Sequence, residues 1–253
     1  MINRYFFLSI LIPAFMTSCS SKQAESDIEQ YIPEKEYIRE EEELKTENGE
    51  EQVPDFVLES DLVDIQEIEP SLRIDIKYAT ADNFTKQVLY EDIHKVYLQK
   101  EVAEKLKQAQ RCLKEEYLGY SLLVYDGVRP VSVQQKMWDA LDTVPVNERT
   151  KFVSNPKNGS IHNYGCAVDL TICDEKGIPL DMGAPYDDIR KIAYPRHEKE
   201  FLAKGELNNE QIENRKLLRK VMSKAGFYNI PTEWWHFNAY TREEAKKRYP
   251  IVP

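Results

Sequence analysis

Charge divides this 253-residue chain before any pattern is sought. Between Ser20 and Ser60 stand 14 acidic and 4 basic residues, a local balance of −10 that equals the net charge of the whole chain. Ile, Leu, Val and Phe are sparse there, Glu40-Glu41-Glu42-Glu43 is an unbroken acidic run, and no helical or strand period persists. Such a stretch buries too little apolar surface to offset the entropy of ordering it, so 20–60 is expected to be an acidic disordered tether. What folds must therefore lie in 61–253, where 30 acids and 29 bases nearly cancel. That length suffices for one domain with a sizeable core. A near-neutral body behind an acidic leader also excludes a nucleic-acid binder, which needs a basic stripe to neutralise phosphates.

The residues before the tether read as an address. Met1–Arg4 is short and basic, and Tyr5–Met16 is a run of twelve mostly apolar residues. As a helix that run would span about 18 Å, short of a bilayer core of about 30 Å. A charged start, a short apolar run and small residues predict a secretory signal peptide over 1–19. Thr17-Ser18-Cys19 resembles a bacterial lipobox, in which the Cys becomes the lipidated first residue, although Met16 stands where that pattern usually has Leu. A plain cleaved signal is the alternative. The expected location is extracytoplasmic, in the periplasm or cell envelope, with membrane attachment only through a lipid on Cys19. Cys112, Cys166 and Cys173 remain, an odd number without a C-x-x-C, so they are expected to be small buried hydrophobes.

Within 61–253 the periodicities alternate between two kinds. Leu72–Lys77 alternates apolar and polar, predicting a half-buried strand. Val102, Leu106, Ala109 and Leu113 predict an amphipathic helix. Ser121–Tyr125 is a short apolar run stopped by Asp126-Gly127, Pro130–Leu141 reads as a helix, and Ala167–Ile172 is an alternating, β-branched strand. Leu218, Val221, Met222 and Ala225 predict a helix stopped by Gly226, and the aromatic stretch Thr232–Tyr240 a last strand. There is no repeating βαβ rhythm, so the fold class is α+β with a largely antiparallel central sheet flanked by helices.

Of four histidines, two sit in chemically suggestive company. His162 is followed by Asp169, and His236 is preceded by Glu233. Two imidazoles and a carboxylate make a three-ligand metal site with one position left for water, and a nearby Glu can serve as its general base. His162 and Asp169, seven apart, have opposite parity on a continuous strand, so the chain must bend between them, and Gly165 permits it. Glu233 and His236, three apart, call for a turn or bulge. No H-E-x-x-H is present, so the common metalloprotease helix is absent.

Six segments in order resemble one family. They are Lys77-Tyr78-Ala79-Thr80-Ala81-Asp82-Asn83-Phe84-Thr85; Asp126-Gly127-Val128-Arg129-Pro130; Ser160-x-His162-x-x-Gly165-x-Ala167-x-Asp169-Leu170-Thr171; Asp181–Asp187; Asn214-Arg215 through Gly226-Phe227; and Glu233-Trp234-Trp235-His236. Together, over roughly 61–250, they resemble the D-alanyl-D-alanine dipeptidases, a family of zinc peptidases with a Hedgehog/DD-peptidase-like fold. The resemblance implies one zinc per chain on His162, Asp169 and His236. It implies Glu233 as the base acting on a metal-activated water and Arg129 as donor to the developing oxyanion. Tyr78, Ser160 and Asp187 would hold the dipeptide, with Asp187 facing its ammonium. Cys166 and Cys173 flank the Asp169 strand without occupying a ligand position.

Several of these residues have plainer readings. Asp126 could be a turn residue or could orient Arg129; Tyr78 could be a core aromatic; Ser160 could serve only its loop. Trp234 and Trp235 are expected to pack around the site, and His94 and His197 to be structural or exposed. The reading that results is a hydrolase of the small dipeptide D-Ala-D-Ala, producing two D-alanines during peptidoglycan fragment turnover. The alternatives are a D,D-carboxypeptidase of peptidoglycan stem peptides and a non-catalytic wall-binding lipoprotein.

Overall fold

In the computed structural model, residues 53–58 and 60–253 are described; the expected leader over 1–19, Cys19 and the stretch 20–52 lie outside the described residues. The helices are α1 (Asp55–Leu58), α2 (Ile65–Ile68), α3 (Lys100–Glu116), α4 (Val131–Asp139), α5 (Glu198–Ala203), α6 (Asn209–Lys224) and α7 (Arg242–Arg248). The strands are β1 (Leu62–Asp64), β2 (Arg73–Ile74), β3 (Tyr97–Gln99), β4 (Ser121–Asp126), β5 (Ala167–Cys173), β6 (Tyr228–Ile230) and β7 (Glu233–Asn238).

Five of these strands form the main sheet in the order β2-β4-β5-β7-β6, and β1 pairs with β3 in a small second ladder. Only β2 and β4 run parallel; the other neighbours are antiparallel. The α+β class and the antiparallel bias read from the sequence are both found. Every residue of β4 and β5 is buried, as befits central strands covered on both faces. α3 turns Val102, Leu106, Ala109 and Leu113 inward, all with no exposed surface, and packs on β4 and α6. One polar residue on that face, Gln110, is satisfied twice: it donates to the Ser71 carbonyl and accepts the Leu122 amide, joining helix to sheet. α6 begins in a capping box between Asn208 and Gln211 and stops at Gly226, as its apolar pattern predicts.

Two expectations change. The strand expected over Leu72–Lys77 pairs only at Arg73 and Ile74. The chain then enters a turn at Lys77–Ala79 that carries Tyr78 inward against Tyr90 and Tyr186, and aromatic burial outweighs continuation of the ladder. The end of the expected tether also differs, because Asp55–Leu58 is helical. Phe56 and Val57 pack on a small cluster of Leu62, Tyr97, Val128 and Val252, which gives this turn apolar area that the preceding acidic sequence lacks. The three cysteines that are described, Cys112, Cys166 and Cys173, are buried and free.

The sheet register does the positioning. Asp169 on β5 lies opposite Asp126 on β4 and opposite His236 on β7, so three ionisable residues form a row across three strands. His162 joins the row because the chain makes a tight turn over His162–Tyr164 and reverses at Gly165 with φ +64. A Cβ there would stand 2.7 Å from Leu62 Cδ2 and 3.2 Å from the Gln99 amide nitrogen. Gly165→Ala should therefore cost at least about 1–2 kcal/mol from the left-handed backbone alone, seen as a lower urea midpoint together with weaker metal binding as His162 shifts. An unchanged midpoint would show that the turn is not so constrained.

Candidate active site

All eight residues singled out in the sequence line one cavity of about 270 Å³. They are Tyr78, Arg129, Ser160, His162, Asp169, Asp187, Glu233 and His236. His94 is exposed and His197 pairs with Glu200 at 2.9 Å; neither lines the cavity. Trp235 forms part of the wall, while Trp234 is buried and donates its indole N–H to the Ala184 carbonyl.

At the base of the cavity three side chains converge. His236 Nδ1 is 2.9 Å from Asp169 Oδ1, His162 Nε2 is 3.1 Å from His236 Nδ1, and His162 Nε2 is 3.3 Å from Asp169 Oδ1. The outer nitrogen of each ring decides what the inner one carries. His162 Nδ1 lies 2.7 Å from the Gly127 carbonyl and His236 Nε2 lies 2.9 Å from Asn238 Oδ1, both acceptors, so each outer nitrogen bears the proton. In neutral rings the two inner nitrogens then present lone pairs to each other and to a carboxylate oxygen. That triangle is repulsive unless a cation stands among its corners. A tetrahedral metal with bonds of about 2.0–2.1 Å has ligand–ligand edges of about 3.3 Å, close to these separations. The donor set fits a divalent metal.

Glu233 stands beside this cluster, its Oε2 3.9 Å from His236 Nδ1. The bulge expected between these residues is present: the β6–β7 ladder slips between Asn229 and Ile230, so that Ile230 pairs with Glu233 and Asn229 with Phe237. Although 34% of the Glu233 side chain stays accessible, the cavity walls desolvate its carboxylate and raise its pKa, with His236 opposing and Asp169 adding to the shift. Asp187 is pushed up to about 8, first by burial and then by the charge of Asp169. Tyr78 donates its hydroxyl to Asp187 Oδ1 at 3.2 Å, while Asp187 Oδ2 is buried without a partner. Ser160 Oγ is likewise buried and unpartnered. Two unpartnered polar atoms on residues lining one cavity are what a polar ligand would satisfy.

Arg129 is held from three sides. Its Nε and Nη2 donate to Asp126 Oδ2 at 2.9 and 2.5 Å, its Nη1 donates to Gln134 Oε1 at 3.1 Å, and Tyr78 lies under the guanidinium. Asp126 therefore orients Arg129 rather than merely turning the chain. It is itself fixed by the Tyr90 hydroxyl at 2.6 Å. Of the five guanidinium protons three are thus engaged, and Nη2 also lies 3.5 Å from Asp169 Oδ2, which leaves the second Nη1 proton for a ligand. Asn163 stitches the two motifs together, donating to the Arg129 carbonyl and accepting the Ser160 amide. Tyr186 donates to Asp169 Oδ2 at 3.1 Å and so leaves Oδ1 for the histidines. Tyr90, Gln134, Asn163 and Tyr186 were not legible as site residues. Gln134 left a trace as a polar residue on the buried face of α4, and Tyr186 stands inside the Asp181–Asp187 segment without having been assigned a role.

An α+β sheet carrying a two-histidine, one-carboxylate cluster beside a desolvated glutamate describes a metal-dependent hydrolase. Comparison with known proteins narrows that class to the metallopeptidases. The D-Ala-D-Ala dipeptidase family matches residues 58–252, and the chain belongs to that family. It is 34% identical over 178 residues to a D-alanyl-D-alanine dipeptidase of Escherichia coli (strain K12), a match covering 70% of this chain and 84% of the relative. Against a D-alanyl-D-alanine dipeptidase of Enterococcus faecalis (strain ATCC 700802 / V583) it is 31% identical over 194 residues, covering 71% and 92%. Among solved structures, the LdcB LD-carboxypeptidase aligns with a TM-score of 0.43 and 21% identity, covering 74% of this chain and 72% of that one.

The cluster makes a proton-linked prediction. Burial disfavours a charged His236 ring, but the hydrogen bond and charge of Asp169 outweigh it and raise the pKa from 6.5 to about 9 in the metal-free protein. Stability contributed by this proton is full below 6.5 and is lost as pH rises through about 9. A metal needs the Nδ1 lone pair, so metal uptake at pH 8 should release about one proton per chain. Calorimetry in buffers of different ionisation enthalpy reads that number. Uptake without proton release would contradict the arrangement.

Proposed function

We propose that this protein is a zinc-dependent dipeptidase that hydrolyses D-Ala-D-Ala to two D-alanines. The observation that carries the substrate class is the buried, half-satisfied carboxylate of Asp187 in the same cavity as the metal-type cluster. A carboxylate left unpaired in a desolvated wall favours a cation, and the ammonium of a short peptide supplies one within reach of the reacting carbonyl. Family membership supports the same reading.

Zinc on His162, Asp169 and His236 would supply Lewis acidity, polarising the scissile carbonyl and making water more acidic. The chain's own residues do the rest. Asp187, aided by Tyr78, holds the substrate ammonium, and Ser160 offers its free hydroxyl to the peptide. Glu233 takes a proton from the attacking water, and its raised pKa makes it a stronger base than an ordinary carboxylate. As the C–O bond forms, the carbonyl oxygen gains negative charge. The guanidinium of Arg129 meets that charge without reorganising, because Asp126 and Gln134 already hold it. Glu233 then returns the proton to the leaving amine as the C–N bond breaks.

A D,D-carboxypeptidase would have to place a neutral amide where Asp187 offers a carboxylate, leaving the buried charge uncompensated, which disfavours longer stem peptides. A non-catalytic wall binder has no need for the base and the oxyanion donor, yet both are present. For location, the charged start, the apolar run and Cys19 support an exported, lipid-anchored enzyme that salvages peptidoglycan fragments.

D-alanine release from D-Ala-D-Ala tests the reading. Turnover should vanish with a chelator, return with zinc, and fall at least about 100-fold in Glu233→Ala while metal content is retained. A pentapeptide stem should be a poor substrate. Metal-loaded protein that leaves the dipeptide intact, or cleaves the stem equally well, would overturn the assignment.

A further inference from the structure

The segment Asn214-Arg215 stands out in the sequence and has no part in the chemistry above. Arg215, on α6, has no exposed surface and is among the largest fully buried side chains of the protein. A buried guanidinium is costly unless its donors are used. Its nearest acid pairs with it only loosely. Glu198 lies 3.7 Å from Arg215 Nη1, and both its oxygens are already bonded by Arg219 at 2.7 and 2.8 Å. Arg215 Nη1 has no hydrogen bond. What Arg215 does bond is backbone: Nε donates to the Met182 carbonyl at 2.6 Å and Nη2 to the Ile192 carbonyl at 3.0 Å.

Those two carbonyls bracket a loop that contains neither helix nor strand between 183 and 190. The loop carries Tyr186, which fixes the outer oxygen of Asp169, and Asp187, which faces the cavity. Asp187 has φ +60, a left-handed conformation that a residue with a side chain keeps only when its surroundings over-determine it. The entrance of the loop is tied to the same helix twice more. Asn214 Nδ2 donates to the Asp181 carbonyl and Gln211 Nε2 to the Asp181 carboxylate. Gly183, at φ +73, lies so close to α6 that a Cβ would collide with Leu207 and Gln211.

We infer that Arg215 is a positioning residue: by clamping both ends of the 182–192 loop it holds Asp187 in its strained conformation and so sets the affinity for the substrate's ammonium end. This rests on the reading of Asp187 as the ammonium partner. The inference separates binding from chemistry, because Glu233, Arg129 and His236 belong to other segments that Arg215 does not touch, and the loop meets Asp169 only through the Tyr186 bond to Oδ2, the oxygen turned away from the histidines.

The test uses the full zinc-loaded chain with D-Ala-D-Ala as substrate. Arg215→Lys keeps the charge but reaches one carbonyl, and Arg215→Gln keeps one donor without a charge to bury. Each should raise KM about tenfold, the scale of one lost charge-assisted hydrogen bond, with kcat changed by less than about threefold. Amide hydrogen exchange over 183–191 should accelerate by about tenfold or more while the rest of the sheet stays protected. Asp187→Asn should itself raise KM, and adding Arg215→Lys to it should change KM by less than about twofold, because both act on one contact. If Asp187→Asn leaves KM unchanged, the ammonium reading fails on its own account. If Asp187→Asn raises KM but the Arg215 variants leave KM and loop exchange unchanged, or add in full to Asp187→Asn, the positioning role is wrong. It is equally wrong if both Arg215 variants melt globally below the assay temperature instead of opening at 183–191, since Arg215 would then be a general core residue.

Discussion

Two imidazole nitrogens and a carboxylate oxygen, none more than 3.3 Å from the next, cannot rest together in a buried site without positive charge between them. The surrounding structure is arranged to enforce that crowding. The β5–β7 register sets Asp169 against His236, and the reversal at Gly165 returns His162 to them. The Gly127 carbonyl and Asn238 lock the rings in the tautomers that aim lone pairs inward. The metal-free protein answers the same demand by raising His236, so a proton and a metal compete for one place.

Around that centre the site separates two kinds of carboxylate by environment. Asp126 and Asp169 are fully engaged, one by Arg129 and Tyr90, the other by the histidines and Tyr186. Glu233 and Asp187 are desolvated and incompletely paired, and both are shifted upward. The first pair builds the frame; the second is left in want of a proton or a cation, which is the condition a general base and an ammonium binder share. Asp187 differs from the others in its support, since it stands on a loop without regular structure and not on a strand of the sheet.

How much of this was readable beforehand depends on where the determining forces act. Strands β4, β5 and β7 and helices α3, α4 and α6 follow from apolar periods, because burial of one face or both is what makes them. The candidate ligands were readable because two histidines and an aspartate are chemically restrictive types, because Gly165 betrays a bend, and above all because the motifs around them resemble one family. The β1–β3 ladder and β6 are three residues each, too short for a period to develop. α7 buries only Ala245 and shows no stripe, although the Thr241–Glu244 capping box was a visible mark of its start. Tyr90, Gln134, Asn163 and Tyr186 went unseen because they act through pairings 5–36 residues distant in sequence, set by the fold. Asp126 could be weighed only as a turn or as an orienting group, and its two bonds to Arg129 decide between them.

The central claim is that His162, Asp169 and His236 hold the metal. X-ray absorption at the zinc edge of the loaded protein tests it most directly. The account predicts a first shell of nitrogen and oxygen only, at about 2.0–2.1 Å, with outer-shell scattering from two imidazoles. A sulfur scatterer at about 2.3 Å, or a shell without imidazole, would place the metal elsewhere and contradict the account.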